Sequence, residues 1–375
     1  MMLFCALIKN CGFDWHSSGM ASFLAMTAGN TFEIDQNFYN LYLSFRIRMK
    51  IRFLKSLSLL LLCLFGLAGH AQNIAPNVKR ILFLGNSITY QAHYVNDVET
   101  YLTVHYPGRQ FDIINVGLPS ETVSGLSEPG HADGKFPRPD LHERLARVLA
   151  QTKPDLVFAD YGMNDGIYMP FDTGRFQKFK DGINWMHDEI VKTGARLIHV
   201  TPPCYDERKG KSIGYAAVLD KYTDWLLSQK RAAKWEVIDV HYPMQKYLLA
   251  HRKIDAQFKI DGFALAADGV HPDEAGHWIM ARQILLYLGC KEVANSPSIE
   301  ADLAPIPNGA QILKLVTERQ NTMRDAWLTA TKFQRPGLPV GLPLDRATAI
   351  SDSLGTRIHG LLGNMPAQNM NNPNK

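Results

Sequence analysis

The 375-residue sequence predicts a three-layer α/β/α domain built on a parallel sheet of about five strands. Short apolar runs alternate with longer segments of helical periodicity, which is the order of repeated β–α units. The apolar runs are rich in Ile, Val, Leu and Phe without polar alternation, as expected of strands buried on both faces. Ser87, Gly117 and Asn164 each follow one of these runs, at the edge where parallel sheets bind ligands.

The predicted strands are short, and each is separated from the next by a loop or a helical segment. They are Ile81–Leu84, Phe111–Val116, Leu156–Asp160, Arg196–Thr201 and Val237–Val240. The predicted helices span residues 92–105, 139–151, 174–193, 213–232 and 273–288. Because crossovers between parallel strands are right-handed, this alternation predicts one sheet covered by helices. We therefore expect residues 78–290 to form a single domain.

The C-terminal part of the chain has a different composition. Residues 291–308 are rich in Pro, Asn and Ala and are predicted to be a linker. Two amphipathic helices follow, over 309–331 and 344–362, and predict a helical appendage that packs on the domain or forms a lid near its site. The Asn-rich tail, residues 364–375, is expected to be disordered.

The N-terminal part of the chain predicts export. Residues 49–71 begin with a basic stretch, continue with an apolar run over Leu57–Leu67, and end in small residues. This order is typical of a secretory signal, here cleaved after Ala71. A membrane anchor is the alternative, but the run falls short of the about 20 residues that span a bilayer. Residues 1–48 precede this signal and are interpreted as a mis-assigned extension.

The charge balance gives no indication of a nucleic-acid partner. Without residues 1–71, 40 Lys/Arg fall to 34 and 36 Asp/Glu fall to 33, which leaves a net charge of about +1. Cys204 and Cys290 remain of the five cysteines, and export would allow them to pair. We expect two buried thiols instead. No cysteine spacing typical of a metal site is present.

Ser87 follows the first predicted strand within Gly-Asn-Ser-Ile-Thr. A serine there places its backbone N–H at a helix N-terminus, where partial positive charge favours an oxyanion. Its hydroxyl needs a base within hydrogen-bond reach to act as a nucleophile. The alternative is that Ser87 only caps the following helix.

Asp268 and His271 stand three residues apart near the end of the predicted domain. A turn can place the carboxylate against one ring nitrogen and leave the other nitrogen free for a serine. Pro272 disfavours helical geometry at His271, which places the imidazole at a loop-to-helix boundary. A capped helix start with a solvated histidine is the alternative. A metal site using Asp268, His271, Asp273 and His277 fits no common zinc spacing.

Gly117 and Asn164 follow the second and third predicted strands. A backbone N–H at a glycine and an asparagine amide are suitable donors to the oxyanion of a tetrahedral intermediate. Ordinary turns are the alternative, since Asn-Asp-Gly at 164–166 is a good turn sequence. The order of all these motifs along the chain favours the catalytic interpretation.

The four ordered blocks resemble the SGNH hydrolases, also called GDSL-type esterases. The resemblance covers residues 78–290 and implies a flavodoxin-like three-layer fold. It also implies that Ser87 is the nucleophile, that His271 is a base oriented by Asp268, and that Ser87, Gly117 and Asn164 form the oxyanion hole. No metal or organic cofactor is implied. Asn86 departs from the family pattern, which has aspartate there.

The substrate is less well defined than the chemistry. Exported SGNH proteins resemble bacterial esterases that remove acetyl groups from carbohydrate, and this predicts a small-molecule or glycan ester substrate. Tyr161 and Tyr168, with Phe171 and Tyr205, could form a wall that stacks on sugars, or could pack ordinarily. A lipid-ester hydrolase or thioesterase is the enzymatic alternative, and a glycan-binding protein on a decayed hydrolase scaffold is the non-enzymatic one. No membrane insertion is expected after signal cleavage, and the oligomeric state is left open.

Overall fold

The computed structural model describes residues 74–258 and 262–363, all within one compact unit. Five strands form the sheet: β1 Arg80–Gly85, β2 Asp112–Asn115, β3 Leu156–Asp160, β4 Arg196–Val200 and β5 Glu236–Ile238. All neighbouring pairs are parallel, and their order is β2-β1-β3-β4-β5. The predicted fold class is therefore confirmed.

The helices named in chain order cover both faces of this sheet, because the strand order reverses after β2 and crossovers are right-handed. They are α1 Ser87–Gln91, α2 His93–His105, α3 Leu145–Thr152, α4 Thr173–Val191, α5 Tyr215–Ala232, α6 His241–Phe258, α7 Glu274–Tyr287, α8 Ile299–Leu303, α9 Gly309–Ala330 and α10 Leu344–Gly363. Short 3₁₀ helices lie at His131–Gly134, Leu141–Glu143 and Lys291–Asn295. None of the described helices is both long enough and apolar enough to span a membrane.

The sheet forms the centre of the core. Ile81, Leu82, Phe83 and Leu84 of β1 have no exposed surface, and every residue of β3 is buried. This burial on both faces is the reason that the strands lack polar alternation. Cys204 and Cys290 are both buried and free, as expected.

Helix α6 was not predicted from the sequence. Pro243 is the third residue of the helix, where the missing N–H costs nothing because first-turn amides have no partner within a helix. Met244 and Leu248 are buried one turn apart and fix the helix on the core. The predicted helix over 139–151 is also corrected, since α3 begins only at Leu145, after the 3₁₀ turn.

The C-terminal region packs on the β2 side of the domain. Helix α9 contacts α2 and β2, and α10 packs on α9. Gln320 of α9 donates a hydrogen bond of 2.8 Å to the carbonyl oxygen of Ile113 in β2. Residues 291–308, predicted to be a linker, contain a 3₁₀ helix and α8, with Val293, Ile299 and Leu303 buried. The predicted signal at 49–71, the extension at 1–48 and the tail lie outside the described residues.

Because His199 of β4 is buried, we predict that the free energy of unfolding depends on pH. Burial, followed by the charge of nearby His187, lowers the pKa of His199 to about 3. In the unfolded chain His199 binds a proton near pH 6.5, whereas in the folded chain it stays neutral until about pH 3. The free energy of unfolding should therefore fall as the pH decreases from about 6.5 towards 3. The His199→Gln variant lacks this titrating group. Its free energy of unfolding should therefore fall less steeply with decreasing pH, by up to about 1.4 kcal/mol per pH unit. Urea midpoints at pH 7, 6 and 5 would measure it, and parallel slopes for the two proteins would contradict it.

Candidate active site

Ser87 lies at the carboxyl end of β1, as the first residue of α1. Asn86 before it is buried and caps the helix, because its Oδ1 accepts a hydrogen bond of 3.0 Å from the Ile88 N–H. The aspartate usual at this position in SGNH hydrolases is thus replaced by another good capping residue. No residue in the described part of the chain accepts a hydrogen bond from the Ser87 N–H, so this donor stays available at the helix N-terminus.

Asp268, His271 and Ser87 form a continuous hydrogen-bonded chain. Oδ2 of Asp268 lies 2.6 Å from Nδ1 of His271, and Nε2 of His271 lies 2.8 Å from Oγ of Ser87. Since the carboxylate accepts a hydrogen bond from Nδ1–H, Nε2 of the neutral ring is left to accept the serine hydroxyl proton. The structure therefore brings together the three side chains that the sequence singled out.

The turn that carries Asp268 and His271 is held by its own backbone. Oδ1 of Asp268 accepts hydrogen bonds of 2.9 and 2.8 Å from the N–H groups of Val270 and His271. Gly269 has φ of +84°, and a Cβ there would meet Gly210 backbone atoms at 2.5 Å, so only glycine fits. Asp273 then caps α7 through the Gly276 N–H, which ends the turn directly after the imidazole.

The environment of Asp268 favours its charged form. Partial burial acts to raise the pKa of this carboxyl, but hydrogen bonds from the His271 ring and from two backbone N–H groups lower it overall. A carboxylate that accepts several hydrogen bonds stays ionised. Asp268 can therefore orient the ring and stabilise an imidazolium at His271.

Asn164 lies in the turn after β3, next to the site. Its side chain is almost fully buried, and Nδ2 donates a hydrogen bond of 3.0 Å to the Glu121 carbonyl oxygen. Oδ1 accepts a hydrogen bond of 3.1 Å from the Tyr168 hydroxyl. Asp165 holds the same turn through bonds from the N–H groups of Gly162, Val123 and Ser124. One N–H of the Asn164 amide is thus engaged, and the role of Asn164 as an oxyanion donor stays a prediction.

The backbone N–H of Gly117 is not free, although it was expected to donate to the oxyanion. Its N–H donates a hydrogen bond of 2.8 Å to Oδ1 of Asn115, so this proposed oxyanion donor already has an acceptor. The glycine itself is required by close packing, since a Cβ there would lie 2.3 Å from the Tyr90 nitrogen in α1. The sequence pattern contained no signal for this local hydrogen bond, and the role of Gly117 as an oxyanion donor stays a prediction.

Tyr161, which was tentatively predicted to bind substrate, is buried in the structure. Its side chain is 1% exposed, and its hydroxyl donates to Oε2 of Glu121 at 2.5 Å. Tyr205 is also buried, and its hydroxyl accepts a hydrogen bond from the Ser212 N–H. Tyr168 is half-buried, with its ring packed on Tyr215, while Phe171 is exposed. The four aromatic residues therefore do not form one wall, and the role of Tyr168 stays a prediction.

Arg144 and Glu121, which the sequence analysis did not single out, form a buried ion pair that supports the loops of the site. Arg144 makes two hydrogen bonds to the carboxylate of Glu121, at 2.6 and 2.7 Å, and a third to the Val116 carbonyl oxygen. Glu121 in turn holds Asn164 through its backbone, and Val116 precedes Gly117. A buried ion pair between residues far apart in sequence has no local signature, so only the structure reveals it.

The residues considered for a metal site have other partners. His277 contacts Oε1 of Gln91 at 3.2 Å, and Asp273 caps a helix. Over residues 74–258 and 262–363, no group of three or more His, Cys, Asp or Glu side chains could hold a metal ion.

A parallel α/β sheet with serine, histidine and aspartate hydrogen-bonded at its carboxyl edge is an arrangement found in serine hydrolases. The sequence model of the GDSL-like Lipase/Acylhydrolase family matches residues 83–279, and the chain belongs to this family. The resemblance to SGNH hydrolases is thus confirmed, and the protein is a carboxylic ester hydrolase. The comparison with curated proteins found no match.

Solved structures similar to this chain include three enzymes. An acetylxylan esterase from Geobacillus stearothermophilus shares 23% identity, with a TM-score of 0.44, over 58% of this chain and 96% of that one. An alpha/beta hydrolase enzyme from the metagenome of Lake Arreo, Spain, shares 22% identity, with a TM-score of 0.45, over 59% and 99%. A gut microbial diltiazem-metabolizing enzyme shares 22% identity, with a TM-score of 0.42, over 58% of this chain and 49% of that one.

Proposed function

We propose that the protein is an exported serine esterase that hydrolyses short-chain esters, chiefly acetyl esters on carbohydrate, through an acyl-enzyme. The observation that carries the mechanism is the hydrogen-bonded chain from Asp268 through His271 to Ser87. Membership of the GDSL-like family supports ester hydrolysis, while the acetyl and carbohydrate parts of the proposal come from the resemblance of exported SGNH proteins to carbohydrate esterases.

In the proposed reaction, Oγ of Ser87 attacks the ester carbonyl carbon while Nε2 of His271 takes the hydroxyl proton. Asp268 holds Nδ1–H and stabilises the imidazolium that forms. The C–O bond to the alcohol then breaks, and His271 protonates the departing oxygen. In the second half, His271 takes a proton from a water molecule, and the water oxygen attacks the acyl carbon. The bond from this carbon to Oγ of Ser87 then breaks and His271 returns the proton to Oγ, which releases the acid and free Ser87.

The oxyanion of each tetrahedral intermediate needs donors that are free or can become free. The Ser87 N–H and the second N–H of the Asn164 amide meet this requirement. The Gly117 N–H would have to be shared between the oxyanion and Oδ1 of Asn115. Removal of one such donor typically lowers the rate by about 10²–10³-fold.

A series of p-nitrophenyl esters tests the acyl specificity. We expect kcat/KM to be highest for acetate and to fall steeply through butyrate to octanoate. Acetylated xylo-oligosaccharides and acetylated free sugars should then be better substrates than the synthetic acetate, because remote binding energy raises the rate only when the alcohol part fits the site.

Preference for octanoate would favour the lipid-ester alternative instead. Binding of acetylated glycans without release of acetate would favour the non-catalytic alternative.

Export is a separate proposal, because residues 1–73 lie outside the described part of the chain. It is supported by the basic, apolar and small-residue order over 49–71. Mature protein recovered from the medium or periplasm should begin at Gln72 on N-terminal sequencing. Recovery of cellular protein that begins at Met1 and retains the whole leader would contradict both the signal and its predicted start.

A further inference from the structure

The helix that carries Ser87 is held partly by residues outside the region that matches the family. Helix α1 has only five residues, and helices this short are marginal without tertiary contacts. Its last carbonyl oxygens have no partner within the helix and must find one elsewhere. The Thr89 carbonyl oxygen accepts a hydrogen bond of 2.7 Å from Nδ2 of Asn115, at the end of β2.

The Tyr90 carbonyl oxygen is bound by Arg324 of α9. Nη1 of Arg324 donates to this oxygen at 2.9 Å, and the guanidinium lies over the Tyr90 ring, 4.2 Å from its centroid. A cation at this end of a helix also interacts favourably with the helix dipole. Arg324 therefore contacts both the backbone and the side chain of a residue three positions after Ser87.

Arg324 is itself held in this orientation. Its side chain is only 11% exposed, and Nε pairs with Oδ1 of Asp325 at 2.9 Å. Nη1 also contacts Oδ1 of Asn321 at 3.0 Å. Helix α9 is anchored to the core by Gln320, so the guanidinium is presented from a rigid element. The family match ends at residue 279, and nothing in it assigns a role to α9.

We propose that Arg324 is a positioning residue, which acts through α1 to keep Oγ of Ser87 within reach of Nε2 of His271. The proposal rests on the serine esterase function proposed above. Because the serine and imidazole come from distant segments, a small shift of α1 lengthens their bond without disturbing the fold. A misplacement of about 1 Å can cost on the order of 10²-fold in rate.

The test compares Arg324→Met with Arg147→Met. Arg147 also links the domain to the end of α9, through the carbonyl oxygens of Thr331 and Lys332, but does not touch α1. We expect Arg324→Met to lower kcat on p-nitrophenyl acetate by about 10- to 100-fold with KM changed only a few-fold. Arg147→Met should keep the parental kcat. Arg324→Lys should recover part of the loss, because it retains a donor for the Tyr90 carbonyl oxygen.

Hydrogen exchange gives a readout that does not depend on activity. Peptides covering residues 86–92 should exchange faster in Arg324→Met than in the parent or in Arg147→Met. Unchanged exchange and unchanged kcat, or an equal loss of kcat in Arg147→Met, would overturn the positioning role. A parent protein that hydrolyses no ester would refute the proposed function instead, while faster exchange in Arg324→Met would still show that Arg324 holds α1.

Discussion

Ser87→Ala should lower the turnover of p-nitrophenyl acetate by more than about 10³-fold, since no other hydroxyl is hydrogen-bonded to His271 in the described part of the chain. The residual rate would come from binding and oxyanion stabilisation alone. The fold should persist, because the serine hydroxyl contributes one hydrogen bond at a partly exposed position. Initial rates and a thermal melt of the same preparation measure both outcomes.

Ser228→Ala is the matched control for this substitution. Ser228 is exposed on α5, and its hydroxyl donates only to the Trp225 carbonyl oxygen within its own helix. This variant should retain parental turnover. Parental activity in Ser87→Ala would show that the nucleophile has been assigned to the wrong residue.

Arg144→Met should lower the free energy of unfolding by about 3–5 kcal/mol, because it leaves a buried carboxylate without its cationic partner. Arg144 is 1% and Glu121 is 0% exposed at the side chain, so water cannot replace the lost charge. Burial acts to raise the pKa of Glu121, and Arg144 opposes that increase. Urea unfolding at pH 7 would measure the loss.

Two further variants separate the causes. Lys192→Met breaks a surface pair with Glu189, whose side chains are 68% and 40% exposed, and should cost less than about 1 kcal/mol. Adding Glu121→Gln to Arg144→Met removes the uncompensated charge and should restore part of the stability. Equal losses in Arg144→Met and Lys192→Met would contradict the importance of the buried pair.

The sequence predicted the sheet well because its strands are short, apolar on both faces and separated by helical segments. It missed α6, because a proline near the start and many polar residues obscure the pattern of the two buried apolar residues that pack it on the core. The order of Ser87, Gly117, Asn164, Asp268 and His271 was readable, since each follows a strand or precedes a helix. The sequence could not distinguish buried Tyr161 from half-buried Tyr168, because burial depends on neighbours that are distant in sequence.

Contacts between residues that are distant in sequence could not be predicted for the same reason. Glu121 pairs with Arg144, and Arg324 binds the Tyr90 carbonyl oxygen, although neither pair shares a local pattern. The bond from Gly117 to Asn115 is local, but it depends on how the loop after β2 turns.

The self-bonded turn at Asp268 has a consequence for how such an enzyme could be switched or redesigned. Asp268 and His271 would move together, because the N–H groups of residues 270 and 271 hold the Asp268 carboxylate in place beside the imidazole. A displacement of that loop as a whole would keep the two side chains paired and would change the distance from Nε2 of His271 to Oγ of Ser87. In the proposed mechanism, activity then depends on the relative placement of two short chain segments, and a graft of this loop should transfer the histidine together with the aspartate that orients it.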